Sequence, residues 1–125
     1  MSSVLKAFNN HLLEFIEDVI RIFPENLDIK TGKTFIEGVK RVNPKKIITY
    51  WRDNILALYE KEILEGDITF FVNKDYRNDI GTEAQTLKVL EDIRGLVRET
   101  TKENKEKAMK YLQNLTKLCK LYFSD

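Results

Sequence analysis

The fold class follows from residues 3–23, which read SVLKAFNNHLLEFIEDVIRIF. Apolar side chains recur in this stretch at alternating spacings of three and four residues, which is the period of one face of an α-helix. A helix with two adjoining apolar stripes is buried against more than one neighbour. We therefore expect a central helix that begins at an N-cap on Ser3 and ends at Phe23, before Pro24. Its first stripe comprises Leu5, Phe8, Leu12, Phe15, Val19 and Ile22, and its second comprises Leu13, Ile16, Ile20 and Phe23.

Four further segments have the same helical period, and turn or capping residues separate them. Together they predict an all-α, compact bundle of five main helices in a single domain, residues 1–125, with one short extra helix in the 67–80 segment. The expected segments run from Ile29 or Thr31 to Val42, from Pro44 to about Glu65, from Thr82 to about Arg98, and from Thr101 to about Tyr122. The apolar side of the second helix is expected to include Val42, and that of the third Leu58.

The composition is typical of a soluble globular protein. The chain has 125 residues, of which 42% are hydrophobic and 33% charged, and its net charge is +1. Cys119 is the only cysteine, so an internal disulfide is excluded and a reducing compartment is expected. Polar residues interrupt the N-terminal region, and no apolar run approaches the ~20 residues of a membrane span. These features predict an intracellular protein that is neither secreted nor transmembrane.

Few residues could support catalysis or bind a metal. His11 is the only histidine, and it lies on the first helix, where a half-buried structural role is expected. One histidine and one cysteine are too few for a zinc site. A calcium loop at Asp75 and Asp79 is disfavoured, because Ile80 stands where the turn glycine belongs. We therefore predict a non-enzymatic protein without a catalytic site, cofactor or metal, and a cryptic enzyme is the third-ranked alternative.

The segment from Gly66 to Gly81 differs from the regular helices around it, since three consecutive large apolar residues stand among alternating acids and bases. Aromatic residues and arginine are enriched at protein interfaces. The segment therefore predicts a protein-contact surface. Alternatively, its two phenylalanines plug the end of the bundle. The candidate contact residues are Phe70, Phe71, Val72, Tyr76 and Arg77.

Residues 29–52 contain seven basic residues against Glu37 alone. A basic patch of this kind can contact phosphates, so a nucleic-acid-associated protein that uses residues 30–52 is the alternative function. A solvated basic face is the simpler interpretation. The candidate nucleic-acid residues are Lys40, Arg41, Lys45 and Lys46.

The sequence contains several short motifs: Phe8-Asn9-Asn10-His11, Phe23-Pro24-Glu25, Asp28-Ile29-Lys30-Thr31, Val42-Asn43-Pro44-Lys45 and the run from Gly66 to Tyr76. These motifs resemble those of small helical proteins encoded by large DNA viruses of algae and other protists. The resemblance covers roughly residues 8–80, and the family has no assigned activity. It implies a virion or capsid-associated structural protein, or an accessory protein that acts in the host cytoplasm or nucleus, with a viral or host protein or a second copy as partner.

Overall fold

The computed structural model describes residues 2–72 and 81–124, and all regular structure within these ranges is helical. The prediction of an all-α bundle with five main helices and one short helix is confirmed, since α3, the π-turn and α4 form one continuous helix. The elements are α1 (Ser3–Ile22), α2 (Leu27–Val42), α3 (Lys46–Trp51), a π-helical turn (Arg52–Leu56), α4 (Ala57–Leu64), α5 (Thr69–Val72), α6 (Gly81–Arg98) and α7 (Lys102–Phe123).

Polar side chains and a glycine set the helix ends. The N-cap of α1 is Ser2, one residue before the predicted Ser3, and its hydroxyl accepts hydrogen bonds from first-turn N–H groups. Asn26 Oδ1 accepts a hydrogen bond from Ile29, so α2 begins earlier than predicted. Thr101 caps α7 in the same way. Gly66 follows α4 with a φ of 72°, a left-handed conformation that favours glycine and ends a helix.

The π-turn accounts for a wrong expectation about Leu58. The apolar seam of this long helix runs through Ile47, Trp51, Ile55, Tyr59 and Ile63, always four residues apart. Four residues turn an α-helix about 40° past a full turn, so such a seam drifts away from a straight neighbour. A π-turn contains more residues per turn than an α-helix, so it rotates the chain back and offsets this drift. The apolar seam therefore continues at Tyr59 and not at Leu58. As a result Leu58, expected in the core, is 52% exposed.

The buried side chains of the described residues form one cluster around α1. α1 packs most extensively on α7 and also contacts α2, α3 and α6. Trp51 is buried against Phe8, and its indole N–H donates a hydrogen bond of 3.2 Å to the buried hydroxyl of Thr116. Ile22, expected at the end of the first stripe of α1, is instead 40% exposed.

α2 packs on α6 through Gly32. A Cβ atom at this position would lie 3.1 Å from Val89 Cγ2, so the glycine allows the two helices to approach closely. The inner face of α2 comprises Ile29, Gly32 and Ile36, all buried. Together with the more extensive packing of α2 on α1, this contact leaves the opposite side of α2 facing the solvent.

Candidate functional site

The prediction that Phe70 and Phe71 form a protein-contact surface is wrong. Both side chains are buried in the core, where Phe70 lies edge-on to Phe71 and to Tyr59 of α4, with ring centroids 5.5 and 5.2 Å apart. Burying a large aromatic ring is strongly favourable, and α5 lies against α4 and α6, which provide the cover. The end-plug alternative therefore applies to these two residues.

Two arginines of α6 attach α5 to the bundle, and the sequence analysis did not identify either of them. The Arg94 Nε–H donates to the Phe70 carbonyl at 2.8 Å, and the Arg98 Nε–H donates to the Phe71 carbonyl at 2.7 Å. Arg94 also forms an ion pair with Glu91 at 2.9 Å and stacks 4.2 Å above the Phe70 ring. A helix of one turn leaves its carbonyls without intrahelical partners, and these arginines satisfy two of them.

The other contact candidates are not placed by the described structure. Val72 ends α5, but its side chain is not among those described. Tyr76 and Arg77 lie outside the described residues. Their predicted contact role stays a prediction.

The four candidate nucleic-acid residues do not behave alike. The Lys40 ammonium donates to Asn10 Oδ1 of α1 at 3.0 Å, and the Lys46 ammonium donates to Glu83 of α6, also at 3.0 Å. The latter bond lowers the pKa of Glu83, which keeps the carboxylate charged. Arg41 and Lys45 are exposed. The basic stretch is thus partly engaged in contacts between helices.

A different surface has the most exposed apolar side chains among the described residues. Leu27 and Val42, at the two ends of α2, are 73% and 86% exposed. The expectation that Val42 lies in the core is wrong, because it is six residues from the buried Ile36 and points about 120° away from it. Leu27 is nine residues from Ile36 and points about 180° away. We define the outer face of α2 as Leu27, Thr31, Thr34, Phe35, Gly38 and Val42.

The outer face borders two depressions that meet at Phe35. One is an open groove of about 570 Å³ that extends past Gly38 and Val42 to Lys46 at the start of α3. The other is a crevice of about 280 Å³ between α2 and α6, lined by Gly32 and Val89 among others. The groove ends at Lys46, which pairs with Glu83. The crevice is lined by Asp28 and by the ion pair of Lys88 with Asp92. The two depressions form one channel along α2 on either side of Phe35.

The cavity between the ends of α1, α6 and α7 is smaller. Its volume is about 160 Å³, below the roughly 300–1,000 Å³ of typical ligand sites. At its edge the Tyr111 hydroxyl donates to the carboxylate of Asp18, which also pairs with Arg21, and burial raises the pKa of Tyr111. These side chains link α1 to α7.

His11 is partly buried and Cys119 is fully buried. His11 packs on the Tyr111 ring, and its Nε2 atom is buried without a hydrogen-bond partner among the described residues. Cys119 is fully buried, and this burial raises the pKa of its thiol to about 12. Since the thiolate is the nucleophilic form, the thiol is unreactive in the folded protein.

Residues 2–72 and 81–124 contain no group of three or more potential metal ligands. Within the same ranges, none of the helices has the length and apolar character needed to cross a membrane. Comparisons with protein-family models, with curated proteins and with solved structures give no match. The outer face of α2 is therefore identified as the candidate site from its geometry alone.

The sequence itself indicates that α2 has an exposed apolar side. Apolar residues of α2 occur on more than one side of the helix, but the prediction assigned all of them to the core without considering the angles between them. Measured from Ile36, the positions of Leu27 and Val42 show that they cannot share its face. Gly38 on the outer face has no neighbouring atom within 4 Å of a Cβ position, so it marks an open site.

Proposed function

We propose that this chain is a non-enzymatic protein-binding module and that the outer face of α2 is its contact surface. The observation that carries the proposal is the exposure of Leu27 and Val42 on the face that also contains Phe35 and Gly38. Covering an exposed aliphatic side chain of this size is worth about 1.5–3 kcal/mol, so the surface favours a partner. Grouped apolar residues on a protein surface often mark an interface.

The shape of the surface favours a helix as the bound element. The 16 residues of α2 give a face about 24 Å long, and small residues at Thr31, Thr34 and Gly38 keep it flat. Helices pack side by side when the ridges of one enter the grooves of the other. The channel through Phe35 provides such a groove.

The biological setting is part of the proposal. The resemblance to proteins of large DNA viruses supports a structural protein of the virion or an accessory protein of infection. Both roles can be carried by a protein-binding surface.

A site-specific photo-crosslinker tests the proposed surface. The photoreactive amino acid benzoylphenylalanine is placed at position 38 in one variant and at position 58, which is exposed on α4, in a matched control. We expect position 38 to form protein adducts in the cells that produce the chain and position 58 to form few or none. Equal adducts from both positions, or none from position 38, would contradict the proposal.

The exposed Arg41 and Lys45 support the second candidate, a nucleic-acid-associated protein. Phosphate contacts weaken steeply as salt increases. Retention on DNA or RNA at low salt that is lost in the double variant Arg41→Ala/Lys45→Ala, and unaffected by the uncharged substitution Val42→Ser, would favour this candidate over the protein-binding module. We expect neither variant to change retention.

A further inference from the structure

The cavity between the ends of α1, α6 and α7 has the size of a single aromatic ring. Its volume is about 160 Å³. An apolar protein cavity of about 150 Å³ holds one benzene molecule. The described residues that line it belong to α1, α6, α7 and the turns beside them, and none belongs to α2. The cavity is therefore separate from the proposed contact surface, and a test of it does not depend on that surface.

The inner wall of the cavity is apolar and partly aromatic. Its apolar lining residues are Phe15, Val19, Ile22, Phe23, Val97 and Ala108. The rings of Phe15 and Tyr111 stack with their centroids 5.0 Å apart, and both side chains line the cavity. Ala108 is buried, and its short side chain leaves space that a longer one would fill. Aromatic rings pack favourably on one another, so these walls suit a planar ring.

The charged side chains that line the cavity are paired. The Asp18 carboxylate pairs with Arg21 and accepts a hydrogen bond from the Tyr111 hydroxyl. The Lys107 ammonium lies 3.9 Å from the Glu103 carboxylate, and the side chains of Arg21 and Lys107 are mostly exposed. Moving a further charge out of water into this site is costly, because each charge at the site already has a partner.

The surroundings of the cavity disfavour both signs of charge on a ligand. Burial raises the pKa of Tyr111, and the charges of Glu14 and Glu17 raise it further while that of Arg21 lowers it. The Tyr111 hydroxyl therefore stays protonated, and an anionic ligand would approach the same carboxylates. A cationic ligand would meet Arg21 and Lys107, which also line the cavity. The site thus favours a neutral ligand.

One polar position of the wall can orient such a ligand. Asn104 Nδ2 donates a hydrogen bond of 3.0 Å to Thr100 Oγ1, and both side chains line the cavity. This arrangement leaves the Asn104 amide oxygen as an acceptor for a ligand hydroxyl. We infer that the cavity binds a small neutral phenol, with the ring against Phe15 and Ala108 and the hydroxyl donating to Asn104.

An NMR titration of the isotope-labelled chain with phenol tests this inference. A ligand with so few atoms is expected to bind with a dissociation constant of about 1 mM. We expect saturable shift changes at the methyl groups of Val97 and Ala108, which line the cavity. No saturable change at these methyl groups up to about 10 mM phenol would overturn the inference.

Benzoate and benzylamine test the preference for a neutral ligand. At neutral pH they carry opposite charges on the same ring, and we expect both to bind at least about tenfold more weakly than phenol. If either of them bound as tightly as phenol, the assignment of a neutral ligand would be wrong.

Ala108→Leu fills the cavity, and Ala57→Leu is the matched control at an exposed position of α4. We expect the first variant to raise the dissociation constant of phenol at least about tenfold and the second to leave it unchanged. Far-UV circular dichroism checks that both variants stay helical. Unchanged phenol binding in a folded Ala108→Leu variant would place the phenol elsewhere and overturn the inference.

Asn104→Leu tests the hydroxyl contact without altering a fully buried position, since Asn104 is partly exposed. The wild type is expected to bind phenol about fivefold more tightly than toluene, which lacks the hydroxyl. The variant should lose this preference and still bind toluene. Equal binding of phenol and toluene by the wild type, or an unchanged preference in the variant, would overturn the assignment of a phenol held by Asn104.

Discussion

Apolar residues of α5 and of the outer face of α2 have opposite surroundings. In α5, Phe70 and Phe71 are both buried, Phe70 lies against Tyr59, and the carbonyls of both residues accept hydrogen bonds from arginines. On α2, Leu27 and Val42 project into solvent although their helix is well packed on its other side. The comparison shows that local apolar density does not determine burial. The direction of each side chain relative to the neighbouring helices determines it.

The largest effect expected from this comparison is on stability. Phe71→Ala should lower the free energy of unfolding by about 3–5 kcal/mol, because it removes a fully buried ring and leaves a cavity. Val42→Ala should change it by less than about 0.5 kcal/mol, because that side chain is mostly exposed. Urea unfolding followed by circular dichroism at low protein concentration measures both values. Similar losses in the two variants would abolish the distinction between the regions.

Arg94→Met tests how α5 is held. The Arg94 side chain is 4% exposed, and the substitution leaves the Phe70 carbonyl without its guanidinium donors and Glu91 without this ion pair. Removing one partner from a buried charged contact usually costs about 3–5 kcal/mol, and we expect about 2–4 kcal/mol because methionine retains part of the packing.

Lys88→Met is the matched control on α6. Lys88 pairs with Asp92 on the surface, where such a pair contributes little, so we expect a small change in the same urea experiment. If Arg94→Met cost no more than this control, packing of the rings would be sufficient to hold α5.

The helical periods of the chain predicted the all-α fold because each main helix has an apolar stripe of its own. The same patterns could not predict the π-turn, since its effect appears only when the seam through Trp51, Ile55 and Tyr59 packs on a neighbour. They also missed Arg94 as a buried residue. Its burial depends on α5, which lies 24 residues earlier in the chain and presents a carbonyl without a helical partner.

The candidate site could be predicted only in part. The basic residues near α2 were identified from composition, but the apolar surface beside them depends on which side of α2 meets α6. The packing of α2 on α1 and the close approach of Gly32 to Val89 both contribute to this, and a glycine in a sequence does not reveal whether it packs or is open. Phe70 and Phe71 were ambiguous for a similar reason, since adjacent aromatic residues suit both an interface and a core.

The smallest expected effect comes from the same glycine-to-alanine substitution made on the two sides of α2. Gly38→Ala should raise the free energy of unfolding by about 0.5–1 kcal/mol, because alanine favours the helix and the outer face has space for its methyl group. At Gly32 the same gain is offset, because the new Cβ would lie 3.1 Å from the buried, β-branched Val89. We therefore expect Gly32→Ala to be no more stable than the wild type, and at least about 0.5 kcal/mol less stable than Gly38→Ala. Urea unfolding at low protein concentration measures the difference. If both substitutions stabilised the protein equally, α2 and α6 would be able to move apart at little cost. The contact of Gly32 with Val89 would then not hold α2 in the orientation that exposes Leu27 and Val42.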